Sequence, residues 1–242
     1  MESIKATLWI YKIALLRSTQ LVKINWGVGF APLGYAIILS VAALFLAPLG
    51  IIGGILQVLT LNGCMSSGLY LVENILKARK ANFNDFIRGF SVYLWEVVRI
   101  SFILWIPMMV AENVLLPTPN GWLFLSFIQI TLYIILNAVP ELIYQSRVSG
   151  LDLLGASCHF IFENWIEWFT PILAISAAGY LLWRLLSVIA GGLPFFVSFF
   201  VIAFGFGLFL TYFMIFRGIL FAELSGTTQR ARVYRYKMRD SN

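Results

Sequence analysis

Residues 17–26 read RSTQLVKINW, and GVGFAPLGYAIILSVAALFLAP follows at 27–48. A stretch that carries Arg17 and Lys23 passes through an Asn-Trp pair into a run with no ionised side chain. A helix needs about 20 mostly apolar residues to cross a hydrocarbon core about 30 Å thick. Residues 27–48 meet that length, so the junction predicts a chain lying on a membrane surface and then entering the membrane. Five further long, mostly apolar runs follow, at 51–75, 97–116, 121–144, 168–189 and 193–222.

The gaps between these runs fall into two kinds. Pro48-Leu49-Gly50, Pro117-Thr118-Pro119-Asn120-Gly121 and Gly191-Gly192-Leu193-Pro194 carry turn chemistry and no charge. Proline and glycine stop helices sharply there. The other connections hold the basic residues. Lys5, Lys12, Arg17 and Lys23 precede the first run, and Lys77, Arg79, Lys80 and Arg88 separate the second from the third. Arg147 separates the fourth from the fifth, and Arg230, Arg232, Arg235, Lys237 and Arg239 follow the sixth. Lys and Arg accumulate on the cytoplasmic side. Both termini and both long connections are therefore expected inside, and the three tight turns outside.

Composition agrees. Hydrophobic residues make up 60% of the 242 residues, charged residues 12%, and the mean hydropathy is +0.88. Soluble domains carry about 25% charged residues, so half that density leaves too little charge to cover a water-facing surface. The 16% aromatic content suits bilayer interfaces. Cys64 and Cys158 are expected on different levels of the bundle, with no disulfide. The first 25 residues lack the short apolar core and small-residue cleavage site of a signal peptide.

The three inner segments are too apolar for loops and too charged to span. Ile4, Leu8, Tyr11 and Leu15 recur at helical spacing, with Lys5, Lys12 and Lys23 beside them. FNDFIRGFSVYLWEVVRI sets Phe, Ile and Trp against Asp85, Arg88, Glu96 and Arg99, with Asn82 or Asn84 able to cap its start. From Gly150 to Trp168, Leu151, Leu154, Cys158 and Ile161 or Phe162 oppose Asp152, His159, Glu163 and Glu167. Amphipathic helices of this kind lie in the headgroup plane. Residues 156–165, ASCHFIFENW, repeat the opening pattern: Ser157 stands before Asn164-Trp165 as Ser18 stands before Asn25-Trp26. The middle segment offers Trp95-Glu96 instead. Common descent and convergence on an interfacial Trp both account for the repeat.

The expected fold is all-α: a polytopic integral membrane bundle of six transmembrane helices with cytoplasmic interfacial helices, forming a single membrane domain. Its parts are an interfacial helix at 1–26, two spans in 27–75, an interfacial segment at 76–96, and two spans in 97–144. An interfacial helix at 145–167, two spans in 168–222 and a basic tail at 223–242 complete it.

The plan, with the segments NFNDFIRGF and GLDLLGASCHFIFENWIEWF, resembles a loose group of prokaryotic six-span proteins. The group includes the DUF975 family, the YciC-like family and the membrane domain attached to some glycerophosphodiester phosphodiesterases. It implies a location in the prokaryotic cytoplasmic (inner) membrane and supplies no catalytic residues. The chain also looks like the permease subunit of type-2 ABC exporters. That resemblance implies a cytoplasmic ATPase meeting the segment from Ala81 to Gly89. The short Gly-Gly-Leu-Pro turn departs from the longer outer segment usual there.

Among candidate sites, His159, Glu163 and Glu167 share one helical face. A metal site is one reading of that face, and the polar side of a surface helix is the favoured one. Nucleophile, phosphate-loop and zinc motifs do not occur, and no cofactor is expected. Glu112 and Arg184 lie near the outer ends of the third and fifth runs. Either they form an ion pair or each reaches the headgroups alone. Gln57, Thr60, Asn62, Ser66 and Ser67, and then Gln129, Thr131 and Asn137, make polar seams that hold helices together or line a path. The small pairs Gly63 and Ser67, Ala203 and Gly207, and Gly27 and Ala31 allow close helix approach. Trp26, Trp95, Trp165 and Trp168 are expected as interface anchors. The basic tail should attract anionic lipid headgroups rather than nucleic acid. These features suggest a non-catalytic subunit or scaffold packing against other membrane proteins. A transport permease is the alternative, and a membrane enzyme using the His159 face is a third class.

Overall fold

The structure, a computed structural model, describes residues 2–146, 148–227 and 229–240. Arg147 and the Arg239 side chain, both counted above among the basic groups, lie outside that description. The chain is 89% helix, with no strand among the described residues. Ten α-helices follow one another: α1 (Glu2–Ile24), α2 (Ala31–Leu46), α3 (Gly50–Ala78), α4 (Phe83–Val92), α5 (Leu94–Leu115), α6 (Gly121–Ile135), α7 (Val139–Gln145), α8 (Leu151–Ala190), α9 (Phe195–Leu224) and α10 (Gln229–Asp240). Five stretches are long and apolar enough to cross a membrane: Trp26–Ala78, Leu94–Leu115, Gly121–Gln145, Leu151–Ala190 and Phe196–Leu224.

The first of these is folded back on itself. Pro48 sits in a tight turn at Ala47–Leu49, and Gly50 takes φ +58° and ψ −126°. That conformation needs a residue without Cβ. α2 and α3 then pack side by side, and the Gln57 amide Nε2 donates to the Leu39 carbonyl at 3.1 Å.

Three helices bend at corresponding places. Asn25, after α1, has φ −112° and ψ 30°. Tyr93, between α4 and α5, has φ −109° and ψ 6°. Asn164, within the 40-residue α8, has φ −127° and ψ 19°. Each bend joins an amphipathic segment to an apolar one. The first and third fall at the repeated Asn-Trp pair, and the middle one falls at Tyr93 without it.

The fourth apolar run, expected as one helix, is broken. α6 ends at Ile135 and α7 begins at Val139, with Leu136–Ala138 as a turn between them. Pro140 is the cause. It has no N–H to offer the preceding turn, and its ring clashes with the carbonyl four residues back.

Packing is lopsided along the bundle. The main core gathers Ile10, Ile75, Leu153, Phe160, Trp168, Phe216 and Leu220, all at the end that carries the charges. α2 buries no residue, and α5 buries none beyond Ile100. In α9 no described side chain before Gly207 is buried. At the opposite end the helices pack in pairs, α2 on α3 and α8 on α9, and few residues are fully buried.

Candidate functional site

The broken helix creates the most polar point of the core. A break frees backbone carbonyls, and at membrane depth these must find partners in neighbouring helices. Ile135 O accepts from Ser157 Oγ of α8 at 2.8 Å. Asn137 O accepts from Arg217 Nη2 of α9 at 2.5 Å. Arg217 also holds Glu141 of α7 as a bidentate pair, with Nε to Oε1 at 2.8 Å and Nη2 to Oε2 at 2.8 Å. The Glu141 side chain is 0% exposed and that of Arg217 is 9% exposed. The planar guanidinium suits this two-pronged grip on a carboxylate. Trp168 of α8, wholly buried, donates Nε1–H to Asn137 Oδ1 at 2.9 Å. The Arg217 guanidinium carbon lies 5.4 Å from the Trp168 ring centroid and 5.6 Å from that of Phe213. Aromatic faces attract a cation at that range. Charge, break and aromatic ring thus form one unit built from α7, α8 and α9. A groove of about 400 Å³ between α5 and α6 reaches Arg217, Asn137 and Gln129.

Neither member of this pair stands out in the sequence. Glu141 closes an apolar run, where a charge is ordinary, and Arg217 interrupts FMIFRGILF near the end of another. The Asn137-Ala-Val-Pro140 break is the one local signal. Its carbonyls need a donor, and Arg217 is the cation of the last apolar run.

Glu112 and Arg184, the pair that the sequence suggested, do not meet. Among the described residues the ion pairs are Glu73–Lys77, Glu96–Arg99, His159–Glu163, Glu141–Arg217, Glu223–Arg235 and Glu2–Lys237. Arg184 is exposed on α8 and Glu112 half-buried on α5. Of the two alternatives, the structure has each charge standing apart at its own helix.

Trp168 is a correction to the anchor set. Trp26, Trp95 and Trp165 are 59%, 70% and 60% exposed, but Trp168 is 0% exposed. Its N–H finds an acceptor inside the bundle, which removes the reason for an indole to stay at an interface.

His159 Nδ1 comes within 3.4 Å of Glu163 Oε2, with both side chains exposed. Glu167 does not join them as a third ligand, and no group of three His, Cys, Asp or Glu fit for a metal occurs among the described residues. Instead the Glu167 carbonyl accepts from the Tyr11 hydroxyl at 3.0 Å. Cys64 is buried and Cys158 half-buried, both as free thiols.

The span-two seam joins helices. Ser66 Oγ donates to Gly89 O at 2.6 Å, and Ser67 Oγ donates to Phe86 O at 2.7 Å, so α4 lies clamped on α3. A Cβ on Gly89 would meet Ser67 Cα at 2.8 Å, closer than real contacts allow. Ser66 Oγ also accepts the Tyr93 N–H at 2.8 Å, which satisfies the bend. The Tyr93 hydroxyl donates to Glu73 Oε2; burial, and then this carboxylate, hold its phenol above the usual range. An Asn82–Asp85 capping box opens α4. Of the small pairs, Gly63 and Ser67 bed α4, and Gly207 lies against Gly29 next to the first bend, whereas Gly27 faces open space. In the other seam, Gln129 is exposed and Asn137 belongs to the charged unit.

The two Asn bends repeat in bonding as well as in angle. Asn25 Nδ2 donates to Leu21 O at 2.9 Å, and Asn164 Nδ2 donates to Phe160 O at 3.1 Å, each four residues back. Each Oδ1 then accepts from another segment: Ala81 N at 2.9 Å for Asn25, and Arg232 Nη2 at 3.0 Å for Asn164. The basic tail is therefore partly engaged within the protein. It forms α10 and folds onto α1, and Lys237 pairs with Glu2 at 2.6 Å. Burial holds Arg232 below the ordinary guanidinium range. Replacing Asn164 by Ala is expected to cost about 1–3 kcal/mol, because a buried donor loses its acceptor. In an Arg232→Met background the same replacement should cost clearly less in thermal denaturation. Equal costs in both backgrounds would show that the contact contributes nothing.

The chain matches no protein-family model, no curated protein and no solved structure.

Proposed function

We propose that this chain is a six-span protein of a prokaryotic cytoplasmic membrane, with both termini and the amphipathic segments inside. Its role is that of a subunit or scaffold in a larger membrane assembly. Counting six spans rests on the turn at Pro48–Gly50, which makes Trp26–Ala78 two crossings. The orientation rests on the basic residues gathered at one end of the bundle. The observation that carries the role is the lopsided packing. One end gathers the bends and ion pairs, while the other presents paired apolar helices whose outward faces stay exposed. Trp105, Trp122, Phe124 and Phe127 are all more than half exposed there. Large aromatic side chains of this kind anchor protein interfaces.

Two measurements test this reading. A reporter fused after Asn242 should be active on the cytoplasmic side, and a tag in the 117–121 turn should be accessible from outside; either in the opposite compartment overturns the topology. In mild detergent, protein taken from its native membrane should travel with stoichiometric membrane partners, and crosslinkers placed at Trp105 and Trp122 should capture them. A solitary monomer that crosslinks to nothing overturns the subunit role.

The permease reading is supported by α4. It is clamped to α3, runs straight into α5, and leaves Phe83 and Ile87 exposed at 73% and 57%. A rigid lever of that kind is what a cytoplasmic ATPase would push. Copurification of an ATPase dependent on Phe83 and Ile87 selects it.

A further inference from the structure

A second polar cavity lies at the charge-bearing end, apart from the Glu141–Arg217 unit. α1, α3, α7 and α9 meet around a space of about 130 Å³ lined by Arg17, Glu73, Lys77, Tyr144, Gln145 and Gly218, among others. This is room for about four water-sized volumes, the scale of one small oxyanion. The Tyr144 residue is 3% exposed, and its hydroxyl is buried without a hydrogen-bond partner among the described residues. The adjacent Gln145 gives its Nε2–H to the Gly218 carbonyl at 2.9 Å. A buried hydroxyl left unpaired costs about 1–3 kcal/mol, and native proteins rarely leave one so.

The charges lining the cavity favour an anion. Glu73 is already compensated: Oε1 accepts from Lys77 Nζ at 2.5 Å, and Oε2 accepts from the Tyr93 hydroxyl at 2.5 Å. Arg17 enters no ion pair among the described residues. The cavity therefore offers an uncommitted guanidinium, an uncommitted hydroxyl donor and a net positive charge. It lies where amphipathic helices meet the spanning stretches, the depth of lipid headgroups. From this geometry we infer a binding site for a phosphate group, held by Arg17 and Tyr144, carried by an anionic lipid headgroup or free in solution. A guanidinium and a hydroxyl are the donors that a tetrahedral oxyanion takes.

The test uses the full-length protein in maltoside micelles, which contain no phosphate. Inorganic phosphate is titrated in one arm, phosphatidic acid in a second, and diacylglycerol in a third, with thermal stability and native mass spectrometry as readouts. Free phosphate as the ligand predicts stabilisation in the first arm. A lipid headgroup predicts it in the second and not the third. Arg17→Gln and Tyr144→Phe should each weaken binding of the active probe about tenfold or more, and Lys12→Gln, on the same helix outside the cavity, should leave it unchanged. Without any probe, Tyr144→Phe should melt at or above the wild-type temperature, because the hydroxyl it removes has no hydrogen-bond partner among the described residues. Silence in both phosphate arms overturns the inference, as does an equal loss in Lys12→Gln. The result is independent of whether the protein has assembly partners.

Discussion

Glu141→Gln in the full-length protein should lower stability by about 3–5 kcal/mol, the cost of leaving a buried guanidinium without its carboxylate. Arg217→Gln should cost a similar amount and also strip the donor from the Asn137 carbonyl. The double replacement Glu141→Met/Arg217→Met should cost less than the sum of the two single changes, and less than either alone if methionine fills the space. The reason lies in the balance of terms. At membrane depth an isolated charge is expensive, whereas the pair neutralises itself and the carbonyl freed at the break takes a remaining N–H. Denaturation in mixed micelles measures each corner of the cycle. Strict additivity would mean that the two side chains do not interact, and the account of the site would fail.

Trp168→Ala carries the second large effect. The indole is wholly buried, meets Phe160 and Phe221 at ring-centroid distances of 5.2 Å and 6.3 Å, and covers Arg217. Truncation removes that contact area and leaves a cavity, which costs about 3–5 kcal/mol for a buried Trp. Trp168→Phe separates the contributions. It keeps an aromatic face for the guanidinium but leaves Asn137 Oδ1 without its donor, so the expected cost falls to about 1–3 kcal/mol. If Phe costs as much as Ala, the N–H bond rather than the packing dominates. If neither variant loses stability, the indole is not part of the core unit.

The helical class was legible because lipid imposes one rule on every residue of a span. Apolar runs such as 27–48 and 193–222, ended by Pro or Gly, have few other ways to fold. The Ser and Asn of the repeated stretch were legible as a pattern, and the structure adds their chemistry: Asn bonds to the carbonyl four residues back and bends the chain. What could not be read was pairing across distance. Glu141 and Arg217 are 76 residues apart, and neither flank records the other. Glu112 and Arg184 invited pairing because both stood alone on the sparsely charged side, but they form no ion pair with each other. Trp168 looked like Trp165 in sequence. Only the helical phase after the Asn164 bend turns one inward and the other outward.

The third bend bears on how the end of the chain is held. Asn25 finds its acceptance partner at Ala81, soon after α3. Asn164 bonds instead to Arg232, which follows all five long apolar stretches in the chain. Without that arginine the Asn164 amide keeps its bond to the Phe160 carbonyl but loses the donor to its Oδ1. The last helix thereby closes the bend of the longest one, so the tail and α8 are fastened through a single side-chain oxygen.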